Sequence, residues 1–345
     1  MKNDLKLLKN SDELNLDATD YYAVILGESP SKGARSPILW NSAFKGLNIS
    51  AIMHPMDIDS ESLRNVVNAL RNDMRFIGGA VTMPYKIDII PFLDELEPEA
   101  EIIGAVNCLY KKENKLVGAN TDGEGALWSL LEHMPSGLTG KHVALFGLGG
   151  AGVAVATYVA NALGKDGRLL LANRTKEKMF SLKNRLQKMC NIDCIEWPIQ
   201  PKDSKNVDII INCTSLGFKN FKNDQSGYYS HKYFTPLGPT DINVRVNKSD
   251  GNIEKEFIQS AATSIQKNFH HSMMVLSFTA DPLVFDIIYQ PEQTLLLSLA
   301  RLMNYRILNG KAMNLEQAVI AFDKATVSCS IRHSNTDEVR NLMSS

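Results

Sequence analysis

A glycine-rich turn lies near the middle of this chain, where residues 142–156 read HVALFGLGGAGVAVA. The residues before the turn have the length and apolar character of a buried strand, and those after it are typical of a helix. In that setting a GxGxxG motif lets a pyrophosphate approach the backbone at a helix N-terminus, although a purely structural turn is the alternative. We predict a dinucleotide site that includes Gly147, Gly149, Gly150, Ala151 and Gly152.

The next strand in the pattern, residues 168–172, ends at Asn173-Arg174-Thr175. This is close to the distance of about 20 residues at which an acidic residue would bind the ribose of NAD. Because Arg174 stands there in place of an acid, it can make charge-assisted hydrogen bonds to a 2′-phosphate. We therefore predict NADP as the cofactor. The alternative is that Arg174 is only a solvated surface charge.

The composition is that of a globular protein with balanced charge. The chain has 345 residues, of which 44% are hydrophobic and 22% are charged, and its net charge is −1. These values exclude a disordered or low-complexity chain, and they provide no global field that would recruit nucleic acid or anionic lipid. We therefore expect a small-molecule substrate, with neither nucleic acid nor a membrane as partner.

The five cysteines are scattered and lack the paired CxxC spacing of a zinc site or a redox motif, so they indicate reduced thiols. The polar first residues lack the apolar core of a signal peptide, and no run of about 18 apolar residues occurs. His270 and His271 are adjacent, and adjacent residues face different ways on a regular element. We predict a cytoplasmic protein without a metal site.

Apolar runs of strand length alternate with segments of helical period, which indicates an α/β architecture with mostly parallel pairing. In a first unit, strands are predicted at 22–26, 49–53 and 76–81, with a helix at 61–71. A second unit follows the breaker-rich stretch 135–140, with strands at 142–146, 168–172 and 207–212.

The remaining segments are more polar. Residues 219–280 are rich in Asn, Lys and Ser and are predicted to be a long loop that acts as an insertion or a lid. Helices are predicted at 294–305 and 315–325. The residues from Ile331 onward are expected to form a frayed tail, and those up to Asp20 a loose leader.

Two polar residues stand at the ends of predicted elements, where functional groups are often found. Lys86 follows a strand and a turn-forming proline, and Asp122 precedes an amphipathic helix. On these local grounds, either residue could act in catalysis. The residues alone leave open that Lys86 is an exposed lysine and that Asp122 is a helix N-cap.

Short motifs are spread in a fixed order over nearly the whole chain. They are Ser36-Pro37 with Asn41, Val81-Thr82-Met83-Pro84-Tyr85-Lys86, Gly104-Ala105-Val106-Asn107, Gly118-Ala119-Asn120-Thr121-Asp122-Gly123, Gly147-Leu148-Gly149-Gly150-Ala151, Asn173-Arg174-Thr175, Asn212-Cys213-Thr214-Ser215-Leu216-Gly217, Asp286-Ile287-Ile288-Tyr289 with Pro291 and Thr294, and Met313 to Gln317-Ala318. Each motif alone is unspecific. As an ordered set they resemble the shikimate dehydrogenase family.

The resemblance implies an NADP-dependent enzyme that reversibly reduces 3-dehydroshikimate to shikimate by hydride transfer. It implies that Lys86 and Asp122 are the catalytic pair that assists proton transfer. The substrate-binding positions that it implies are Ser36, Thr82, Asn107, Tyr289 and Gln317. Asn173, Thr175, Thr214 and Ser215 join Arg174 and the residues of the glycine-rich turn as predicted cofactor-binding residues.

The chain departs from the family pattern on the substrate side. Where the family usually shows Ser-x-Ser-Pro-x-x-His-Asn, this chain has Ala34 for the first serine and Trp40 for the histidine, and Ala80 replaces an asparagine. The altered feature is the grip on the substrate carboxylate, and we expect Arg35 to bind that carboxylate instead. Ser36 before a proline would also make a helix N-cap without any ligand.

Together these observations predict a two-domain α/β enzyme. Residues 1–122 plus 303–345 are expected to form the substrate domain, and residues 123–302 a doubly wound, Rossmann-type NADP domain whose insertion around 219–280 covers a sheet edge or helps assembly. The active site is expected in the cleft between the domains of a monomer or homodimer. Two alternatives stay open: a family member that acts on quinate, an aminoshikimate or another hydroxy-carboxylate, and a non-catalytic NADP-binding protein.

Overall fold

Strands and helices alternate along the chain in the computed structural model, which describes residues 9–10, 15–16, 18–219, 221–241, 244–247 and 252–344. The strands are β1 Tyr21–Gly27, β2 Ala51–Asp57, β3 Phe76–Val81, β4 Glu95–Leu96, β5 Cys108–Lys112, β6 Lys115–Ala119, β7 His142–Phe146, β8 Arg168–Ala172, β9 Asn191–Ile195, β10 Ile209–Asn212, β11 Phe221–Asp224, β12 Gly227–Ser230, β13 Leu283–Asp286 and β14 Arg306–Asn309. The helices are α1 Ser36–Gly46, α2 Leu63–Asn72, α3 Pro98–Ile103, α4 Thr121–His133, α5 Gly150–Leu163, α6 Lys176–Leu186, α7 Ile253–Ser277, α8 Leu295–Leu302, α9 Gly310–Ser328 and α10 Thr336–Ser344. The predicted α/β architecture is confirmed.

The chain divides into two compact units, one of Met1–Trp128 with Met313–Ser345 and the other of Ser129–Ala312. Both divisions fall inside helices, α4 and α9, whereas the sequence predicts them at 122 and 302. Because a continuous helix has no loop or change of composition at such a point, the sequence does not mark it.

The first unit is built on a mixed sheet of six strands in the order β2-β1-β3-β5-β6-β4. Strand β1 pairs in parallel with β2 and β3, and β5 is antiparallel to β3 and β6. Successive residues of β1 point to opposite faces, so Val24 packs in one apolar core with α2 and Ile25 packs in another with α1 and α9. The β5–β6 hairpin brings the residue before β5 and the residue after β6 to the same end of the sheet.

The second unit is built on an all-parallel sheet of six strands in the order β14-β13-β10-β7-β8-β9. This is the order of a doubly wound sheet made of two mononucleotide-binding halves, as predicted. Strands β7 and β8 cover the predicted residues, and the carboxyl end of β7 leads into the glycine-rich turn. Strands β9 and β14, at the two edges, are not predicted. The helix predicted at 294–305 is observed as α8, and β14 starts at Arg306, directly after the predicted helix ends.

Residues 219–280 do not form the long loop that the sequence predicts. They contain the β11–β12 hairpin and α7, whose N-cap Asn252 accepts hydrogen bonds from two backbone amides. Val275 and Leu276 of α7 pack in the same apolar core as β10 and β13. Parallel neighbours such as β10 and β13 need a crossover connection, and α7 supplies it on a face of the sheet rather than along an edge.

The prediction of a frayed tail from Ile331 onward is wrong. Helix α10 buries Val339 and Met343 in the core that it shares with α1. Arg340 donates to both carboxylate oxygens of Glu316, whose side chain is 1% exposed, and so ties α10 to α9. The predicted loose leader lies largely outside the described residues, but Leu16 within it is buried.

Among the residues that the structure describes, no three His, Cys, Asp or Glu side chains are grouped as they would be around a metal ion. His271 instead hydrogen-bonds to the carbonyl oxygen of Ile199 at 2.7 Å. None of the described helices is long and apolar enough to cross a membrane. All five cysteines are free thiols.

Candidate functional site

Lys86 and Asp122 form an ion pair in the first unit. Lys86 lies in the turn that follows β3, and its Nζ donates to Oδ2 of Asp122 at 2.6 Å. Their side chains are 28% and 15% exposed, so the pair can still be reached from solvent. Helix α4 begins at Thr121, so Asp122 lies in the first turn of the helix and not at its N-cap. The helix dipole favours a carboxylate in this first turn.

Asn107 orients the carboxylate of this pair. Its Nδ2 donates to Oδ1 of Asp122 at 2.8 Å, and its Oδ1 accepts from the backbone amide of Thr121 at 2.7 Å. Asn107 stands directly before β5 and Thr121 follows β6, so the hairpin is what brings these residues together. The amide of Val106 donates to the carbonyl oxygen of Lys86 at 2.7 Å, which fixes the lysine backbone beside the same group. The network therefore holds both members of the ion pair.

Helix α9 approaches the same group. The hydroxyl of Thr121 donates to the carbonyl oxygen of Gln317 at 3.0 Å, and a Cβ on Gly125 would lie 2.8 Å from the Gln317 nitrogen. The Gln317 side-chain amide donates to the carbonyl oxygen of Asn314 at 3.0 Å. Gln317 is thus connected to the Lys86–Asp122 pair through Thr121.

The other predicted substrate-side residues of this unit lie on α1 and after β3. Arg35 is exposed, and its Nη1 donates to Oδ1 of Asn314 at 3.3 Å. Ser36 is the first residue of α1, and the N-cap position belongs to Arg35, without a side-chain capping bond. The N-cap role predicted for Ser36 is therefore wrong. Thr82 packs so closely over Gly27 that a Cβ there would lie 2.4 Å from its methyl carbon.

Two of the departures from the family pattern lie in the apolar core. Trp40 is 1% exposed and packs edge-on against Phe44 and Phe322, with ring centroids 6.0 and 5.2 Å apart. Ala80 belongs to the same core. The neighbouring Asn41 hydrogen-bonds to both backbone groups of Met53 and thereby fixes α1 on β2. The exchange at Trp40 is therefore a packing change.

The glycine-rich turn of the second unit makes close backbone contacts. Gly147 has a φ of +94°, and a Cβ on Gly152 would lie 2.0 Å from the Gly147 carbonyl oxygen, so the helix packs directly on the turn. A Cβ on Gly149 or Gly150 would meet nothing within 4 Å. Asn173 Oδ1 accepts from the Leu148 amide at 3.0 Å, which links the turn to the end of β8. The turn thus presents open space at the N-terminus of α5.

A cavity of about 290 Å³ lies beside this turn. Its lining includes seven of the predicted cofactor-binding residues, namely Gly147, Gly149, Asn173, Arg174, Thr175, Thr214 and Ser215. The other three, Gly150, Ala151 and Gly152, form the first turn of α5. The cavity is also lined by Lys178, a basic residue four positions after Arg174, and by His231, which the sequence did not assign to the cofactor.

A buried polar network behind the cavity was not predicted. Asn212 Oδ1 accepts from the amide and hydroxyl of Thr214 at 2.9 and 2.7 Å, and Asn212 Nδ2 donates to Asp286 at 3.1 Å. Asp286 also accepts from the Thr294 hydroxyl and from the Ile288 amide. Burial raises the pKa of the Asp286 carboxyl to about 6. The motifs that contain these residues were the available signal, but only the fold joins them.

Tyr289, predicted on the substrate side, follows β13 in this second unit. Its side chain is half-buried.

Replacing Asp286 with alanine is expected to lower the free energy of unfolding by about 3 kcal/mol, because three donors in a buried site lose their acceptor. Urea denaturation followed by circular dichroism measures this loss. Asp166→Ala, at an exposed turn, is the matched control and is expected to change the value by less than about 0.5 kcal/mol. Equal denaturation midpoints for the two variants would contradict the assigned role of Asp286.

Comparison with known proteins gives a consistent result. Residues 26–109 match the family model of the shikimate dehydrogenase substrate binding domain. The chain is 30% identical over 296 residues to the NADP(+) shikimate dehydrogenase of Methanocaldococcus jannaschii, covering 85% of this chain and 87% of that protein. It is 31% identical over 298 residues to the enzyme of the same name from Carboxydothermus hydrogenoformans, covering 86% and 89%.

Solved structures extend the likeness to the fold. A crystal structure of a shikimate dehydrogenase in complex with NADP+ is similar to this chain with a TM-score of 0.66 at 26% sequence identity. The likeness covers 96% of each chain.

Proposed function

Because this chain belongs to the shikimate dehydrogenase family, we propose that it is an NADP-dependent shikimate dehydrogenase, which reversibly reduces 3-dehydroshikimate to shikimate. The observation that carries the proposal is the contact of 2.6 Å between Lys86 and Asp122. A non-catalytic NADP-binding protein would have no need to hold such a pair where solvent and substrate can reach it.

Lys86 and Asp122 account for the proton of the reaction. When bound, NADPH supplies the hydride that is added to the carbonyl carbon. The Lys86 ammonium stabilises the negative charge that develops on the carbonyl oxygen and donates the proton that makes it a hydroxyl. Asp122 holds the ammonium in place, and in the direction of oxidation the pair receives the hydroxyl proton.

Two of the residues assigned to the substrate, Asn107 and Gln317, are connected to that pair, Asn107 directly and Gln317 through Thr121. Asn107 and Gln317 are assigned to the ring hydroxyls, together with Ser36, Thr82 and Tyr289. Arg35 is assigned to the carboxylate, and its exposure and its bond to Asn314, close to Gln317 on α9, support this assignment. Trp40 and Ala80 lie in the apolar core, so these two exchanges are changes of packing and give no support to a different substrate.

The second unit fits NADP. The open space at Gly149 and Gly150 and the N-terminus of α5 suit a pyrophosphate. Arg174 and Thr175, which line the adjoining cavity, are assigned to the 2′-phosphate, and Thr214 and Ser215 to the adenosine side. These residues therefore offer anion-binding groups for the pyrophosphate and for the 2′-phosphate of NADP.

The free thiols of all five cysteines suit a reducing compartment, and we place the enzyme in the cytoplasm on that ground. A monomer or homodimer is the assembly that we expect, and light scattering of the purified protein would distinguish the two.

Purified protein is expected to form NADPH from NADP and shikimate, with much less turnover when quinate replaces shikimate. The absorbance of NADPH measures the rate, and a reaction without either acid is the control. Turnover with quinate alone would identify the enzyme as the alternative family member. Absence of turnover with both acids, together with measurable NADPH binding, would contradict the substrate assignment while leaving the cofactor assignment intact.

A further inference from the structure

The β11–β12 hairpin carries a histidine to the cofactor cavity. His231 directly follows β12, and its carbonyl oxygen accepts from the Gly217 amide at 2.8 Å. Its ring Nδ1 lies 2.8 Å from the hydroxyl oxygen of Ser215. Because both contacts are to the loop after β10, the histidine is attached to the cavity wall at two points.

The surroundings of His231 are cationic. Among the described residues that line the cavity, Arg174 and Lys178 are basic and none is acidic. The hairpin adds Lys222, and Arg245 lies 3.9 Å from the Tyr229 ring, which is itself 5.4 Å from the His231 ring. Arg245 is paired with Asp224 at 3.0 Å. An anion in this cavity would therefore meet the charges of Arg174 and Lys178 together with the imidazole.

The protonation state of His231 follows from this position. Burial, with the charges of Lys222 and Arg174, lowers the pKa of the imidazole to about 4, so the ring is neutral near neutral pH. A phosphate dianion has the opposite effect on a histidine, since it favours the charged form. With Nδ1 engaged by Ser215, Nε2 is the ring nitrogen that can donate to such a phosphate.

We propose that His231 is a specificity residue for the 2′-phosphate of NADP(H), which binds a proton as the phosphate enters the cavity beside Arg174. The inference rests on the proposed function, and it assigns part of the cofactor preference to the hairpin rather than to the dinucleotide motif. Binding of NADP would then be linked to uptake of a proton, whereas binding of NAD, which lacks the phosphate, would not.

The test compares dissociation constants of NADP+ and NAD+ for the full-length protein and His231→Gln by isothermal titration calorimetry. Near pH 6, His231→Gln is expected to bind NADP+ about tenfold more weakly than the wild type and NAD+ within about twofold. Titrations in two buffers of different ionisation enthalpy are expected to show proton uptake with NADP+ that the variant loses. His270→Gln, at an exposed histidine of α7, is the matched control and is expected to behave as the wild type.

Three outcomes would contradict the inference, and they can be told apart. An unchanged preference for NADP+ and unchanged proton uptake in His231→Gln would overturn it while leaving the proposed cofactor intact. Equal weakening of NADP+ and NAD+ binding would show that His231 stabilises the cavity wall and does not bind the 2′-phosphate. A wild type that does not prefer NADP+ would overturn the proposed cofactor itself. The phosphate's own titration is common to all variants, so the difference between them reports His231.

Discussion

Replacing Lys86 with alanine is expected to lower kcat for shikimate oxidation by about a thousandfold, because the variant loses the group that moves the hydroxyl proton and stabilises the alkoxide. The KM for shikimate should change much less, since the hydrogen bonds to the rest of the ring remain. Initial rates of NADPH formation over a range of shikimate concentrations separate the two effects. The expected split distinguishes a residue that acts in the transition state from one that only binds substrate.

Lys115→Ala is the matched control, because Lys115 also forms an ion pair with a carboxylate but lies in the β5–β6 hairpin with its side chain 56% exposed. Its kcat is expected to equal that of the wild type. Asp122→Asn keeps the size of the side chain and removes its charge, so its kcat is expected to fall as well. Full turnover of Lys86→Ala would overturn the catalytic assignment for any substrate of this family.

The contact between Lys86 and Asp122 is an example of what the chain alone does not reveal. Each residue was found at the end of an element, but their partnership was implied only by the resemblance. They meet because β5 and β6 form an antiparallel hairpin, which places Asn107 beside Thr121 and so beside the start of α4. Neither strand was predicted, since the segment between Cys108 and Ala119 carries lysines and a glutamate that break the apolar pattern.

The glycine-rich turn was predicted almost in full because its constraints are local. A buried strand, a turn that requires positive φ at Gly147 and an apolar helix follow one another within a few residues, and β7 and β8 have the predicted bounds. The elements that were missed depend on distant partners. Helices α7 and α10 bury narrow stripes, such as Val339 and Met343, against surfaces that other parts of the chain supply. Local periodicity in their polar sequences is too weak to show this.

Replacing Arg174 with alanine is expected to weaken binding of NADP+ by about 10- to 100-fold and to leave binding of NAD+ within about threefold, because a charge-assisted hydrogen bond to the 2′-phosphate is lost. Equilibrium titration of both dinucleotides measures the two constants. Arg168→Ala is the matched control, since Arg168 lies at the amino end of the same strand and pairs with Asp193 at 2.6 Å, outside the cavity lining. It is expected to bind both cofactors as the wild type does.

Arg174→Ala also tests how the charge of Arg174 affects the protonation of His231. The Arg174 charge helps to lower the pKa of His231, so removing it should raise that pKa towards its ordinary value and make the histidine easier to protonate when phosphate binds. The two substitutions, Arg174→Ala and His231→Gln, should therefore be non-additive in a double-mutant cycle for NADP+ and additive for NAD+. If Arg174→Ala weakened both dinucleotides equally, Arg174 would bind a part of the cofactor that NAD shares, and the preference for NADP would have to come from other groups.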